Sequence, residues 1–204
     1  MLFSDTCKTI SKPSEGIFRD RGSKFIGYAY PVKSDTEVKK LIADLRTAHA
    51  KARHFCWAFR FSPDRSLFRL NDDGEPSGTA GRPILNSLLS ADLTDVLVVV
   101  VRYFGGTLLG VPGLINAYKT AAQEAISAAD IVQKTVNDIY KLSFGYLSMN
   151  EVMRIIKEES LQVSHEIFDN DCSMEISVPK SQLNLVINKL EKVEGLVLKY
   201  ISTN

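Results

Sequence analysis

The chain of 204 residues is short of several things that would narrow its class at once. It has no long apolar run. The longest, Val96–Val101, is far below the ~18 residues of a membrane span and reads as one buried strand. It has only three cysteines, Cys7, Cys56 and Cys172, far apart and without a C-x-x-C pair, which excludes a disulfide scaffold and fits a reducing compartment. The start, MLFSDTCKTISK, lacks the basic region and apolar core of a secretory leader. The expected location is therefore cytoplasmic, with no membrane partner. A net charge of only +1 argues against a wholly basic nucleic-acid binder. No internal repeat or low-complexity tract is present.

What is there is ordinary globular composition, 45% hydrophobic and 24% charged, enough for one large domain or two small ones. A strand is expected around Phe25–Tyr30, ended by Pro31. A helix follows over Thr36–Lys51, with Ser34 or Asp35 as its N-cap and Val38, Leu41, Ile42 and Leu45 at helical spacing. His54–Phe61 and Ser66–Leu70 read as strands around a Pro63-Asp64 turn. The turn-rich Asn71–Pro83 precedes a helix with Ile84, Leu85, Leu88 and Leu89 on one face. Val96–Val101 lacks polar alternation, so it is expected to be central or covered on both faces. Leu114–Ala129 is a further helix.

The last third changes character. Ile139–Tyr146 is a strand and Met149–Glu159 an amphipathic helix, with Ser148 and Glu151 as a capping box. LQVSHEIF and CSMEISVP are strands around an Asp169-Asn170-Asp171 turn, SQLNLVINKLEKV is a helix, and GLVLKYIS closes the chain. The order β-α-β-β-α-β is ferredoxin-like. The fold class is thus α+β in two domains, 1–137 and 138–204. The charge divides with them. Residues 1–137 hold 18 Lys+Arg and 14 Asp+Glu, a net of +4; residues 138–204 hold 7 and 10, a net of −3.

Three stretches have the composition of a site. In RYFGGTLLGVPG, Gly105, Gly106 and Gly110 lie between a strand and a helix, where free N–H groups can hold an anion. It is not a phosphate loop of the Walker type, since Val111-Pro112 stand where Lys-Ser/Thr should be. Tight turning and close packing would need the same glycines. In NDDGEPSGTAG, Asp72, Asp73 and Glu75 could hold Mg²⁺, or act as acid and base with His54. Ser77 misses a nucleophile turn by one place. Turn carboxylates that cap backbone N–H groups are the commoner case. His49, His54 and Cys56 fall within eight residues but lack a fourth zinc ligand, so no metal and no cofactor is expected. Trp57, Phe59 and Phe61 alternate with Cys56, Ala58 and Arg60, and either face could be core. Arg53, Arg60, Arg69, Arg82, Arg102 and Lys119 are the cations expected at an anion or nucleic-acid surface.

H-x-C-x-A-x-R at His54–Arg60, DDGEPSGTAG at Asp72–Gly81 and VVVRYFGG-x-x-LG at Val99–Gly110 resemble the Impact family, in its bacterial YigZ-like branch, over roughly residues 14–130. The resemblance implies a first domain related to a small-ribosomal-subunit protein and to domain four of elongation factor G. It implies a ferredoxin-like second domain like the last of that factor. It also implies a role in translation, since eukaryotic Impact proteins regulate initiation by competing for a kinase activator. The family pattern LG-x-GGL-[VI]-[RH]-AY reads LGVPGLINAY here, with Pro112 for a glycine and Asn116 for a basic residue. Three functions follow as expectations. The first is a non-enzymatic binding protein for RNA or a ribosome-associated component. The second is a hydrolase whose cleft is lined by His54, Asp72, Asp73, Glu75, Ser77 and Arg102. The third is a competitor for a protein partner.

Overall fold

The computed structural model describes residues 6–61, 66–169 and 171–203. The chain divides into two compact units, residues 7–134 and residues 135–203 with Thr6. The expected Pro63-Asp64 turn and Asn170 lie outside the described residues.

The first unit is built on five strands: β2 (Ser14–Asp20), β3 (Ser23–Pro31), β4 (His54–Phe61), β5 (Leu67–Asn71) and β6 (Val96–Tyr103). Their spatial order is β2-β3-β6-β4-β5, and every neighbouring pair is antiparallel. A separate short pair joins β1 (Thr6–Ile10) to β7 (Ile131–Thr135). Three helices complete the unit: α1 (Asp35–Ala48), α2 (Gly81–Ser90) and α3 (Gly110–Ser127).

The all-apolar run of β6 follows from its place in the middle of this sheet. Val96, Val98 and Val100 pack with Ile84, Leu85 and Leu88 of α2 and with Ala117, Tyr118 and Ala121 of α3. Leu97, Val99 and Val101 point the other way, to Val38 and Leu45 of α1. A strand with helices on both faces buries both of its side-chain rows, even in an antiparallel sheet. The same holds for β4. Phe55, Phe59 and Phe61 join the α1 side, while Cys56 and Ala58 join the α2/α3 side. Both faces that the sequence left open are core.

Some expectations need correction. The expected strand around Phe25–Tyr30 is one arm of a hairpin. Arg21 (φ 44°) and Gly22 (φ 80°) form its two-residue turn, and Asp20 pairs with Ser23. Positive φ at both turn residues matches the strand twist, and arginine in the first place hides the usual Asn-Gly signal. Leu89 is 45% exposed and does not share the buried face of Ile84, Leu85 and Leu88. The helix expected from Leu114 begins at Gly110, directly on the glycine loop. Ser34 does cap α1, its Oγ accepting from the Glu37 N–H at 3.3 Å.

The second unit comprises β8 (Asn137–Gly145), α4 (Met149–Glu158), β9 (Gln162–Ile167), β10 (Asp171–Pro179), α5 (Leu183–Leu190) and β11 (Val197–Thr203). Its sheet order, β11-β8-β10-β9, is antiparallel throughout and is that of a ferredoxin-like fold. Leu142, Phe144, Met174 and Ile176 of the sheet pack with Val152, Ile155 and Val186 of the helices. The expected capping box is absent. Ser148 is itself helical (φ −86°, ψ −3°), at the end of a 3₁₀ turn over Tyr146–Ser148. Its hydroxyl donates to the Glu194 carbonyl at 3.0 Å instead.

α3 lies close to the sheet because β2 and β3 present glycines to it. A Cβ on Gly27 would overlap the Ala121 carbonyl, and one on Gly16 the backbone at Glu124–Ala125. Gly27→Ala is expected to cost about 2–3 kcal/mol of stability through this overpacking. A urea unfolding curve checks it, and an unchanged midpoint would count against so tight a seat for α3.

Candidate functional site

The turn after β5 is shaped by its own carboxylates. Asp72 accepts from the N–H groups of Gly78 (2.9 Å), Ala80 (3.0 Å) and Gly81 (2.7 Å), which gives α2 a capped start. Asp73 accepts from the Phe55 N–H at 2.7 Å and from Arg46 at 2.6 Å. Both carboxylates are engaged in shaping the turn. Among the described residues no three His, Cys, Asp or Glu side chains gather as a metal site.

Glu75 behaves differently. Its side chain is only 4% exposed. It accepts from Arg102 at 2.5 Å and from the Tyr118 hydroxyl at 2.7 Å. Arg102 comes from β6 and Tyr118 from α3, so one buried carboxylate joins the turn, the central strand and the helix. The Arg102 guanidinium also lies over the rings of Phe25 and Phe104, each 5.4 Å away. Its Nε has no hydrogen-bond partner among the described residues. Burial pushes the Tyr118 hydroxyl far above the ordinary tyrosine range, with Cys56 and Glu75 adding to it, so it stays a donor. Burial likewise keeps Cys56 a thiol; it donates to the Asp72 carbonyl at 3.0 Å.

His54 stands beside this group. Its Nδ1 is 2.9 Å from the Asp73 carbonyl, which can only accept, so Nδ1 carries a proton. Its Nε2 is 4.0 Å from Glu75. His49 does not join it. That ring sits at the end of α1 between the hydroxyls of Tyr28 (2.9 Å) and Tyr103 (2.8 Å).

His54, Glu75 and Arg102 form part of the wall of a cleft of about 660 Å³. Lys51, Arg53 and Gly110 also line it, with Tyr103 and an apolar rim of Phe104, Leu108 and Val111. Leu108 is 82% exposed, Phe104 and Val111 each 52%. α3 starts here without a side-chain cap. Its first-turn N–H groups have no partner within the helix. Pro112 fits this first turn, where a missing N–H breaks no helical bond, but it takes one donor from the opening.

Other expected residues are placed elsewhere. Arg60 is 4% exposed and donates to the Leu93 carbonyl at 3.3 Å, so it is a core residue and not a surface cation. Arg69 pairs with Asp35 at the start of α1 and does not line the cleft. Ser77 is exposed and also outside it. Gly105 serves packing: a Cβ there would overlap the Gly22 backbone, and its N–H donates to the Ser23 hydroxyl at 3.1 Å. Gly106 (φ 88°) supplies the turn. Arg82 and Lys119 line a second groove, of about 400 Å³, between α2 and α3. Lys51, Leu108 and Val111 were not singled out in the sequence. The available signal was the presence of large apolar residues in a glycine loop.

The Impact N-terminal domain family matches residues 21–126. The chain belongs to the Impact family. A Haemophilus influenzae protein described as an IMPACT family member is 31% identical over 176 residues, 85% of each chain. The yeast Saccharomyces cerevisiae protein described as an IMPACT homolog is 33% identical over 113 residues, 54% of this chain and 43% of that one. The crystal structure of a hypothetical protein superposes with a TM-score of 0.72 at 25% identity, over 98% of both chains. The three family motifs thus bring His54, Glu75 and Arg102 to a single cleft wall.

Two outcomes test this geometry. Glu75→Ala leaves Arg102 a buried, uncompensated charge and is expected to cost about 3–5 kcal/mol in urea unfolding, while the double variant E75L/R102M should recover most of it. If the single change costs under about 1 kcal/mol, the pair is not a fastening. Burial, aided by Glu15, pushes Tyr28 from 10.0 up to about 12. A raised tyrosine pKa favours the folded state fully below the unfolded value and loses that effect as pH rises through the folded one. Stability is therefore expected to fall between pH 10 and about 12. Tyr28→Phe should flatten that limb of the thermal-melt profile.

Proposed function

We propose that the protein is a non-enzymatic binding protein of translation, which engages RNA or a ribosome-associated component through the cleft of its first unit. The observation that carries this reading is the set of unpaired cations there. Lys51 and Arg53 line the cleft, and neither has an ion-pair partner among the described residues. Glu75, the carboxylate on the same wall, is already held by Arg102. The opening therefore presents net positive charge, the N-terminus of α3 and an exposed aromatic ring, Phe104. That combination suits phosphate together with a stacked base.

The net +4 of residues 1–137 favours the same partner at longer range. The translational role of eukaryotic Impact proteins, as implied by the motif resemblance, points the same way. The hydrolase reading has less support. Of its six residues His54, Glu75 and Arg102 line the cleft, but Arg102 is already paired with Glu75, Ser77 lies outside, and Asp72 and Asp73 are engaged in shaping the turn. A protein partner is the second reading, favoured by the 82% exposure of Leu108 on the cleft rim. Among the described residues no helix is long and apolar enough to cross a membrane. The three cysteines are buried and form no disulfide among the described residues, and a cytoplasmic setting would keep them reduced.

Filter binding of the full chain to ribosomal RNA at graded salt tests the proposal. Affinity should fall steeply with salt, and Arg53→Ala should weaken it several-fold at low salt without changing the melting temperature. Absent or salt-insensitive binding would overturn the reading.

A further inference from the structure

Arg82 and Lys119 were grouped with the other cations by charge alone. The fold sets them apart from the cleft, on the next stretch of the same helix. The cleft meets α3 at Gly110, Val111 and Leu114; the second groove meets the same helix at Ile115, Lys119 and Gln123. The turn after β5 is shared in the same way, with Gly74, Glu75 and Pro76 on the cleft and Gly78 on the groove. The two hollows thus follow one another along α3 in chain order. From Gly110 to Lys119 the helix advances about 13 Å at 1.5 Å per residue.

The groove carries cations of its own. Arg82 and Lys119 contribute two cations, and neither has an ion-pair partner among the described residues. Asn86, Ser90 and Gln123 add neutral donors. No carboxylate lines it. The cleft, by contrast, carries the exposed Phe104 ring and the large apolar rim. A ligand that needs both is anionic along its length and has a flat apolar part at one end of the track.

We propose that the α2/α3 groove is a second phosphate subsite, continuous with the cleft, and that the two together take a single strand of RNA. This rests on the function proposed above and specifies its ligand. A span of about 13 Å takes on the order of two to three nucleotides of a single strand, whose successive phosphates lie further apart than the ~3.4 Å base rise of a stacked strand. Phe104 serves as a stacking platform, Lys51 and Arg53 hold phosphates at one end, and Arg82 and Lys119 hold them at the other. A mononucleotide fills the cleft alone and gains nothing from the groove.

The test uses the full chain and oligouridylates of two and eight nucleotides, with binding followed by fluorescence anisotropy from about 50 to 200 mM salt. The eight-mer should bind at least tenfold tighter than the two-mer. R82A/K119A should remove most of that gain while leaving the two-mer unchanged, and should reduce the salt slope by about 1.4, the effect of two phosphate contacts on a single strand. R82K/K119R should restore it. If K51A/R53A weakens the eight-mer and R82A/K119A does not, the groove is no subsite, although the function proposed for the cleft stands. If the unaltered chain binds no RNA, both fail. Equal displacement of the eight-mer by RNA and by polyglutamate of matched charge would overturn the assignment to RNA.

Discussion

The first unit depends on one buried carboxylate. Glu75 brings an acidic turn, a central strand and a helix into register through Arg102 and Tyr118. A carboxylate so buried is costly to desolvate unless its lone pairs are filled by donors, and a buried guanidinium has the reciprocal need. Each group therefore makes the other tolerable in the same place. The pair also sets the electrostatics of the opening. With Glu75 and Arg102 cancelling, the charge that reaches the cleft is that of Lys51 and Arg53.

The remaining acidic residues of the turn make that arrangement stable. Asp72 fastens the turn to the start of α2, and Asp73 fastens it to the Phe55 backbone and to Arg46. Backbone N–H groups at a helix start and at a strand edge must find acceptors, and a run of carboxylates supplies them. What looks in sequence like a catalytic or metal-binding cluster is in space mostly a set of caps. Glycines play a matching part. Gly27 admits α3 to the sheet and Gly105 admits the loop to the β2-β3 turn, which leaves Gly110 to open the helix on the cleft.

Much of this fold is legible in the residues. The apolar Val96–Val101, the helical spacing after Ser34 and the alternation of the last third each report local periodicity, which the chain carries in itself. The ferredoxin-like order and the antiparallel pairing follow that pattern. The β2-β3 hairpin was hidden because Arg21-Gly22 is an unusual two-residue turn. The Ser148 cap was misplaced because a 3₁₀ turn precedes α4, and a capping motif does not reveal whether its serine is already helical. The site was legible by halves. Its motifs were visible, but charge alone cannot separate Arg60, which is buried, from Arg53, which lines the cleft.

By itself the sequence determined the fold class, the order of the longer elements and the motifs that mark the Impact family, because these depend on short-range spacing and residue type. Only the tertiary structure decided which members of those motifs act on each other. His54, Glu75, Arg102 and Tyr118 are separated by 21, 27 and 16 positions along the chain. They become neighbours through sheet order and helix docking, and Glu75, Arg102 and Tyr118 then close into one buried network with His54 beside it. The same long-range packing divided the cations into core, cleft and groove. Exposure and pairing are properties of a place in the fold, and residues of one type in one chain can differ in both.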